Sequence, residues 1–498
     1  MSVHWPIVRR LLRSPLRRAV IDEVRSYRNI ELLIASMHVA AEVERRSSQQ
    51  HVGVMLPSSG AFPLSALGVW SLGRTVVPLN FLLKPAELQH VVDDAGLDVI
   101  VTASPMLDYL DHPPEVKQMI KLDEMNMKSV PDPRWPKGAD DDDLAVLLYT
   151  SGTSGKPKGV MLSHANLQAN VDQCMGWVKF GPSDTILGVL PQFHSYGLTV
   201  LTLFALQAGC KTVYSPRFVP QRILKLFREH KPTIFVGIPS MYTALLALKD
   251  AKREDFASIR YAVCGGEPLP RDTYERFRDR FGVTINEGYG LTETAPVTNW
   301  CRPGEGHLGT VGMPLPGIDQ RIIDIETGAS LPAGREGEIR LKGPNVMRGY
   351  YNLPEETAAV FDDAGFFRTG DIGMFDENGF LSITGRLKEM IIVGGENVFP
   401  REVEEALNSH PSVHASGVIG VPDPVRGEVI AAFVELDEGA EFDEGALKSW
   451  CREHIAGYKV PRSVYLLEAL PRNPTGKILR RELKGMIPAE SAAGAADG

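Results

Sequence analysis

The feature that most constrains the fold is an alternation of apolar strands with helix-patterned segments. Between residues 51 and 103 the patterns predict, in turn, strand, helix, strand, helix and strand at His51–Leu56, Phe62–Leu72, Thr75–Pro78, Leu88–Val92 and Leu97–Val101. The same rhythm recurs from Ile186 to Ile285, where Thr233–Ile238 (TIFVGI) is apolar on both faces. Such strands indicate parallel sheets covered by helices. We therefore expect an α/β fold with a large N-terminal domain of sheets sandwiched by helices.

The pattern changes near Gly385 and predicts a smaller α+β unit. Its expected strands are Met390–Val393, Val429–Leu436 and Ser463–Leu467. Its helices are expected to begin near Pro400 and Asp443, since proline suits a first helical position. The last segment, residues 486–498, is rich in Ala, Gly and Ser and is expected to be disordered.

Charge and cysteine usage exclude several classes of protein. The chain has 53 Lys and Arg against 62 Asp and Glu, a net charge of −9, which gives no electrostatic basis for binding nucleic acid. Its five cysteines lack zinc-ligand spacing and form no disulfide framework. No apolar run approaches the ~18–20 residues that span a bilayer. We expect a multi-domain enzyme of the reducing cytoplasm.

The N-terminus is basic and amphipathic. Five arginines, at positions 9, 10, 13, 17 and 18, interleave with apolar residues, and no uninterrupted apolar core follows as in a signal peptide. The favoured interpretation is an ordinary amphipathic first helix, interrupted by Pro15. Peripheral contact with a membrane surface is left open. Only about fifty residues precede the first clear strand at His51, so the N-terminal part is expected to be trimmed or capped differently.

Leu147–Val160 (LLYTSGTSGKPKGV) predicts a phosphate-binding loop after an apolar strand. It contains four hydroxyls, three glycines and two lysines, namely Thr150, Ser151, Thr153, Ser154, Gly152, Gly155, Gly159, Lys156 and Lys158. Glycines permit positive φ and a close approach of the backbone, and amides, hydroxyls and ammonium groups together suit a polyphosphate. The spacing is not that of a Walker loop. A helix is expected to begin near Ser163, which can cap it.

This loop resembles the phosphate-binding signature of the adenylate-forming superfamily, which includes acyl-CoA synthetases, peptide-synthetase adenylation domains and luciferases. Further segments resemble motifs of that family: LPQFHSYG (190–197), CGGEPLP (264–270), NEGYGLTET (286–294), FRTGDI (367–372), GRLKEM (385–390), GGENVFP (394–400) and LPRNPTGKILRREL (470–483). The resemblance covers roughly residues 50–485. It implies that Mg-ATP activates a carboxylic acid to an acyl adenylate, releasing pyrophosphate, and that the acyl group then passes to a thiol.

The resemblance assigns roles to individual residues. Catalytic residues are Lys477, which joins the two reacting anions, His194 beside the carboxylate, Thr292 at the α-phosphate and Glu293 as the Mg²⁺ ligand. ATP or AMP contacts are expected from Thr150, Ser151, Gly152, Thr153, Ser154, Gly155, Lys156, Lys158, Gly265, Gly266, Glu267, Asn286, Glu287, Gly288, Tyr289, Gly290, Thr292, Asp371, Arg386 and Lys477. Tyr289 would stack on adenine, and Asp371 would hold the ribose hydroxyls.

The resemblance also implies a domain organisation. A large domain over residues 1–385 is expected to meet a mobile C-terminal domain over residues 389–485 through a hinge at 386–388. Lys388 would be the hinge residue, although a solvated loop lysine is the alternative. Gly394, Gly395 and Glu396 would line the tunnel that receives the pantetheine arm of CoA.

The expected acid is a medium- or long-chain fatty acid, with CoA as co-substrate. Amino-acid-activating relatives carry an acidic residue where this chain has Ser195. About twenty residues follow Lys477, too few for a carrier domain. The candidate acyl wall is apolar or small and consists of Phe235, Val236, Gly237, Ile238, Met241 and Cys264. The string EGYGLTE resembles that of long-chain fatty acyl-CoA synthetases.

Four alternatives stay open. The chain could activate an aryl acid, or it could be a fatty acyl-AMP ligase that loads an acyl-carrier protein. It could also be an inactive nucleotide-binding scaffold, although Lys477, Glu293 and Asp371 are all present. Luminescence chemistry occurs on this architecture too, but no residue argues for it. Both a monomer and a homodimer are compatible with the sequence.

Overall fold

The computed structural model describes residues 2–131, 134–151, 156–472 and 478–487. The chain divides into two compact units. Unit 1 is Met1–Leu269, Thr273–Asp319 and Leu341–Phe367, and unit 2 is Pro270–Asp272, Gln320–Arg340 and Arg368–Gly498. The predicted hinge at 386–388 falls inside unit 2 and stays a prediction.

The described residues form twenty-five named strands. They are β1 Arg18–Ile21, β2 Ser26–Arg28, β3 His51–Val54, β4 Thr75–Pro78, β5 Val99–Thr102, β6 Gln118–Lys121, β7 Leu144–Ser151, β8 Pro157–Ser163, β9 Thr185–Gly188, β10 Lys211–Tyr214, β11 Ile234–Gly237, β12 Tyr261–Cys264, β13 Ile285–Gly290, β14 Val297–Trp300, β15 Met313–Pro314, β16 Asp319–Ile323, β17 Gly337–Lys342, β18 Gly349–Tyr350, β19 Phe367–Phe375, β20 Leu381–Arg386, β21 Ile391–Val393, β22 Glu396–Val398, β23 Val413–Asp423, β24 Gly427–Leu436 and β25 Ser463–Leu466.

The α-helices are α1 His4–Arg13, α2 Asn29–Arg46, α3 Ala61–Ser71, α4 Pro85–Asp94, α5 Ser104–Asp108, α6 His164–Trp177, α7 Ala205–Ala208, α8 Pro220–His230, α9 Pro239–Leu246, α10 Arg253–Phe256, α11 Arg271–Phe281, α12 Pro354–Ala359, α13 Pro400–Asn408, α14 Glu444–His454 and α15 Arg480–Leu483. A π-helix, Gly197–Phe204, leads directly into α7. Single 3₁₀ turns occupy Leu122–Glu124, Thr292–Thr294, Leu387–Glu389, Gly457–Lys459 and Lys484–Met486.

Unit 1 contains two large sheets with parallel centres. The nine-stranded sheet has the order β15-β14-β13-β12-β11-β9-β10-β1-β2, and its strands run parallel from β13 to β1. The seven-stranded sheet has the order β18-β8-β7-β4-β3-β5-β6, and it is parallel from β7 to β6. The predicted parallel α/β architecture is therefore confirmed.

The sheets of unit 1 are apolar on both faces. Every residue of β4, β5, β9, β11 and β12 is buried. One core cluster extends through both sheets, and a second, around Met55, Leu88 and Leu147, lies beneath α4. Burial on both faces is what parallel strands with helical crossovers require.

Unit 2 contains a four-stranded sheet, β16-β17-β19-β20, and a five-stranded sheet, β22-β21-β24-β23, in which β25 also pairs with β24. Helices α13 and α14 begin where the sequence predicts. Pro400 occupies the first turn of α13, and the Asp443 carboxylate accepts from the Ala446 amide to cap α14. The smaller α+β unit is confirmed.

Three strand features differ from the sequence predictions. β1 and β2 precede His51, so the first strand is earlier than predicted. The expected helix near Ser163 is confirmed by reciprocal bonds between Ser163 and Asn166, but β8 comes before it and pairs antiparallel with β7. The longest strand of unit 2, β23, was not predicted. Its Gly417 and Gly420 and its mixed polarity weaken the strand pattern.

Helix α1 packs into the protein. Ile7, Val8 and Leu11 belong to the core of unit 1, as the amphipathic interpretation predicts, and the helix ends at Arg13, before Pro15. Within the described ranges, none of the helices is both long and apolar enough to cross a membrane. The predicted disordered tail lies outside the described residues from position 488 onward, whereas Met486 and Ile487 follow α15 in the structure.

Candidate active site

Four predicted motifs follow the carboxyl ends of neighbouring strands in unit 1. Strands β9, β11, β12 and β13 are adjacent and parallel, with Val236 opposite Gly188, Gly237 opposite Cys264 and Cys264 opposite Glu287. The segments 190–197, 237–241, 264–270 and 286–294 therefore emerge at one edge of the nine-stranded sheet. In open α/β sheets this edge is where ligands bind.

The segment 190–197 ends in a turn that only glycine can close. A Cβ on Gly197 would lie 2.0 Å from the Pro191 carbonyl oxygen. His194 is accessible in this turn, but the surrounding protein desolvates its imidazole and lowers its pKa below the usual value. The Tyr196 amide points at its Nδ1 across 3.5 Å, the acceptor geometry of a neutral ring. His194 is thus placed as an uncharged polar group.

Tyr196 lies beside Gly265, which is expected to contact ATP or AMP. A Cβ on Gly265 would lie 3.4 Å from the Tyr196 hydroxyl and 3.2 Å from the Gly288 carbonyl oxygen. Burial raises the pKa of Tyr196 well above its usual value, so the hydroxyl stays protonated. Gly266 has a φ of +87° and is exposed, which leaves a thin backbone surface at the end of β12. Glu267 follows, half-buried.

The segment 286–294 contacts the segment 190–197 through a pair of side chains. Thr292 and Ser195 are both buried, and their hydroxyl oxygens are 3.2 Å apart. The turn before Thr292 requires glycine, since a Cβ on Gly290 would lie 2.1 Å from the Pro296 carbonyl oxygen. Tyr289 is half-buried and stands opposite Asn299 in the β13–β14 pair. Gly288 packs against Trp300.

Two other residues of this segment bond to backbone. The Asn286 amide donates to the Ala262 carbonyl of the neighbouring strand at 3.1 Å. The buried Glu287 carboxylate accepts from the amides of Leu269 and Gly309 at 3.2 and 3.4 Å. These bonds tie the loop after β12 to the end of β13. Both side chains thus shape the strand ends on which the other predicted contacts lie.

Glu293 is connected to the β7–β8 hairpin by Tyr350. The Tyr350 hydroxyl donates to Glu293 Oε1 at 2.9 Å, and Tyr350 pairs with Val160 of β8. The Lys158 ammonium lies 5.6 Å from the centre of the Tyr350 ring and forms an ion pair with Glu356. Burial and the Glu293 charge raise the pKa of Tyr350, so it remains a donor.

The predicted phosphate loop is the connection of this hairpin. Thr150 stands opposite Lys158, and Ser151 stands opposite Pro157. Lys156 is exposed at the start of β8. Gly152, Thr153, Ser154 and Gly155 lie outside the described residues. Gly159 lies within β8 and does not have a positive φ. A Cβ there would lie 2.9 Å from Leu147 Cδ1, so glycine permits this close packing.

The candidate acyl residues separate into two environments. Phe235 and Val236 are fully buried in β11, and Phe235 packs against Phe227 and Tyr242 in an aromatic core cluster. Gly237, Ile238 and Met241 lie at the strand end, beside Gly266, and Ile238 is only partly buried. Cys264 is buried, and desolvation raises the pKa of its thiol, which therefore stays neutral.

Unit 2 pairs Asp371 with Arg386. The two residues stand opposite each other in β19 and β20, and Arg386 Nε lies 2.8 Å from Asp371 Oδ1. The Asp371 side chain is 3% exposed, whereas that of Arg386 is 38% exposed. The Asp371 amide donates to the Thr369 hydroxyl, which donates to the Ile339 carbonyl. A buried carboxylate is thus held in place by its neighbours and an accessible guanidinium.

Four other predicted residues of unit 2 lie on its surface. Lys388 is exposed in the 3₁₀ turn between β20 and β21. Gly394 and Gly395, with φ of +62° and +91°, form the two-residue turn between β21 and β22, and Glu396 follows, exposed. Lys477 lies outside the described residues.

Comparison with known proteins identifies the family. Residues 8–351 match the AMP-binding enzyme family, and residues 402–477 match the AMP-binding enzyme C-terminal domain. The chain belongs to the AMP-binding enzyme family. It is an AMP-forming acyl-CoA ligase by family, and such ligases use ATP, Mg²⁺ and CoA as co-substrate.

Individual members of the AMP-binding family are similar over nearly the whole chain. A long-chain-fatty-acid–CoA ligase of Bacillus subtilis (strain 168) is 37% identical over 501 residues, covering 91% of this chain and 89% of the relative. A feruloyl-CoA synthase of Amycolatopsis sp is 34% identical and covers 96% and 98%. The crystal structure of ATP-bound MatB from Rhodopseudomonas palustris superposes with a TM-score of 0.88 at 32% identity, covering 98% and 99%.

The donor chemistry around Glu293 fits the Mg²⁺ of an AMP-binding enzyme. Among the described residues no cluster of three or more His, Cys, Asp or Glu side chains could hold a metal by itself. Mg²⁺ with nucleotides is typically bound by one or two carboxylates together with phosphates and water. A single carboxylate, fixed by the Tyr350 hydroxyl, is consistent with that mode.

None of the sequence motifs predicts Tyr350, which joins Glu293 to the phosphate hairpin. The signal lay in the segment RGYYNLPEET (348–357), which also contains the Glu356 partner of Lys158. Tyr196 belongs to the 190–197 motif, which by itself indicates no role for it. Its contact with Gly265 follows from the adjacency of β9, β11, β12 and β13, which a motif alone does not reveal.

Proposed function

We propose that this AMP-binding enzyme activates a medium- or long-chain fatty acid to its acyl adenylate and transfers the acyl group to CoA. The observation that carries the choice of acid is the lack of charge at the candidate acyl wall. Gly237, Ile238 and Met241 are small or apolar, and the Cys264 thiol is neutral. Burial of an alkyl chain in such surroundings is favourable, because apolar surface leaves water and no charged side chain of the wall is desolvated. The 37% identical fatty-acid ligase supports the same choice.

In the first half-reaction a carboxylate oxygen attacks the α-phosphorus of ATP, and pyrophosphate leaves. Positioning and charge neutralisation supply most of the rate in such a displacement. We assign the β- and γ-phosphates to residues 150–159, the α-phosphate to Thr292, the ribose to Asp371 and adenine to Tyr289. Neutral His194 would orient the acid carboxylate without forming a competing ion pair.

Glu293 would hold Mg²⁺, which when bound supplies positive charge to the phosphates. Lys477 would neutralise the two reacting anions. An ammonium suits this role because it is a compact charge on a flexible stem.

In the second half-reaction the CoA thiol attacks the mixed anhydride, a carbon–sulfur bond forms and AMP leaves. A single orientation of the C-terminal domain can hardly place both Lys477 and the pantetheine tunnel at the same acyl group. We propose that residues 389–485 rotate about Lys388 between the half-reactions and bring Gly394, Gly395 and Glu396 to the thiol. The exposed position of Lys388, in a single 3₁₀ turn between two strands, supports this role.

The test is pyrophosphate release across a panel of straight-chain and aryl acids, with and without CoA. We expect release with C8 to C18 fatty acids and formation of the CoA thioester. Release confined to aryl acids would refute the fatty-acid assignment. Release without CoA consumption would redirect the acceptor to an acyl-carrier protein, and no release with any acid would indicate a scaffold.

One observation favours an aryl acid as the second candidate. The feruloyl-CoA synthase of Amycolatopsis sp matches at 34% identity and with wider mutual coverage than the fatty-acid ligase. A flat ring could lie beside Gly237 and Gly266, where the backbone is thin. Direct competition between octanoate and ferulate in one assay separates the two candidates, since the preferred acid has the higher kcat/KM.

A further inference from the structure

The basic N-terminus lines a cavity in unit 1. The cavity measures about 340 Å³, and its lining includes Arg10, Leu11, Arg17, Arg18, Ser183 and Cys210. Three arginines belong to this lining, and no carboxylate does. The volume lies at the low end for small-molecule sites, which suits a small anion.

This cavity lies at the edge of the sheet opposite to the predicted nucleotide residues. Arg18 begins β1, Cys210 precedes β10, and Ser183 precedes β9, and these three strands are parallel neighbours. The amino ends of the strands therefore surround the cavity, whereas the predicted nucleotide motifs follow the carboxyl ends. A ligand here would be distinct from ATP at the candidate active site.

Two of the arginines are held in place by backbone carbonyls. Arg10 donates to the Ala208 carbonyl at 2.9 Å, and Arg17 donates to the Pro182 carbonyl. Gly209 permits the approach of Arg10, since a Cβ there would lie 2.2 Å from Arg10 Nε. A guanidinium has five N–H donors, so each of these bonds leaves most of the donors of its arginine for a ligand.

None of the ion pairs formed by the described residues involves Arg10, Arg17 or Arg18, and no carboxylate lines the cavity. The carboxylate next in sequence to the lining, Asp184, is engaged by Arg260 through two bonds of 2.8 Å. Burial, followed by the charge of Arg10, lowers the pKa of Arg17. Like charges that are partly desolvated and close together are unfavourable unless an anion joins them.

We propose that Arg10, Arg17 and Arg18 form a second anion-binding site that takes a phosphate or diphosphate group. Guanidinium groups match phosphate oxygens bidentately, and several in one concave site favour a doubly or triply charged group. The same chemistry is offered by free pyrophosphate and by the headgroup of an acidic phospholipid. Leu11 also lines the cavity but is only 2% exposed, so the guanidinium groups of Arg10, Arg17 and Arg18 are the charged groups that meet such a ligand.

The test compares two charge-matched double variants of the full chain. R17Q/R18Q removes two cavity arginines, and R9Q/R13Q removes two exposed arginines of the same segment that do not line the cavity. Pyrophosphate binding is measured by titration calorimetry. We expect wild type and R9Q/R13Q to bind one equivalent of pyrophosphate more than R17Q/R18Q does. If R17Q/R18Q still binds this extra equivalent, we expect its affinity for pyrophosphate to be at least about tenfold lower. Equal loss in both variants, or no extra equivalent in wild type, would overturn the proposal.

Two further measurements complete the test. Ser183→Glu adds a carboxylate at the exposed rim and leaves all three arginines, so it should abolish the extra equivalent even if R17Q/R18Q fails to fold. Retention of that equivalent in Ser183→Glu would contradict the site. Co-sedimentation with vesicles of phosphatidylcholine with or without phosphatidic acid identifies the source. Binding to phosphatidic acid that needs Arg17 and Arg18 assigns a lipid headgroup, and pyrophosphate binding alone assigns a free phosphate.

Discussion

Removal of the Tyr350 hydroxyl tests whether the β18 segment positions Glu293. In Tyr350→Phe the ring that packs near Lys158 remains, and only the 2.9 Å bond to Glu293 Oε1 is lost. A hydrogen bond to a charged group contributes about 1.5–3 kcal/mol, which corresponds to roughly tenfold to hundredfold in affinity. Loss of such a partner typically weakens metal binding by about the same factor. We therefore expect the Mg²⁺ concentration for half-maximal activity to rise by roughly tenfold or more.

The assay is pyrophosphate release at saturating ATP and acid over a series of Mg²⁺ concentrations. Tyr351→Phe is the matched control, because it makes the same chemical change at the next residue, whose ring contacts His51 rather than Glu293. Thermal unfolding of both variants shows whether the fold is retained. If the activity of Tyr350→Phe depends on Mg²⁺ concentration in the same way as that of Tyr351→Phe and wild type, the Tyr350 hydroxyl does not position Glu293 for Mg²⁺.

Three further predictions concern the turn at Gly197, the buried His4 and the predicted catalytic Lys477. Gly197→Ala should lower the free energy of unfolding by about 1–3 kcal/mol or more, because its Cβ would meet the Pro191 carbonyl oxygen. The control Gly176→Ala, in open space on α6, should raise the free energy of unfolding by about 0.5–1 kcal/mol. Equal free energies of unfolding for the two variants in chemical denaturation would contradict the clash at Gly197. Burial lowers the pKa of His4 to about 4, so the unfolded state binds a proton at this side chain more readily than the folded state does. The free energy of unfolding is therefore highest above pH 6.5 and declines as the pH falls towards 4. Between pH 7 and pH 5 wild type should lose about 2 kcal/mol more of unfolding free energy than His4→Phe, and identical losses would refute this. Lys477→Ala should abolish adenylate formation yet still convert supplied acyl-AMP to thioester, whereas the exposed control Lys484→Ala should retain both half-reactions. Equal loss of both half-reactions in Lys477→Ala would contradict the proposal that Lys477 acts only in the first.

Much of the fold follows from local sequence pattern. Buried parallel strands such as Thr75–Pro78 and Ile234–Gly237 are continuous apolar runs. The start of α6 is marked by its cap Ser163, and that of α13 by Pro400 in its first turn. These signals are contained within a few residues. β8 is different, because its Pro157, Lys158 and Gly159 are poor strand formers, and it exists through its antiparallel pairing with β7.

The candidate site divides in the same way. Motifs name residue types that suit a nucleotide, and the structure brings Ser195 to Thr292 and Asp371 to Arg386. The links between motifs depend on strand order, which the sequence does not state. Tyr350 reaches Glu293 across 57 positions of the chain, and no local pattern predicts such a partner.

The β7–β8 ladder has a consequence for how the phosphate loop can vary. Pairing of Ser151 with Pro157 and of Thr150 with Lys158 fixes both ends of the connection. Side chains alternate between the faces of a strand, and a shift by one residue reverses them all. A one-residue slip of β8 against β7 would therefore turn Lys158 away from Tyr350 and Glu356. A change in the length of the loop is compatible with these contacts only when the register of the ladder is kept.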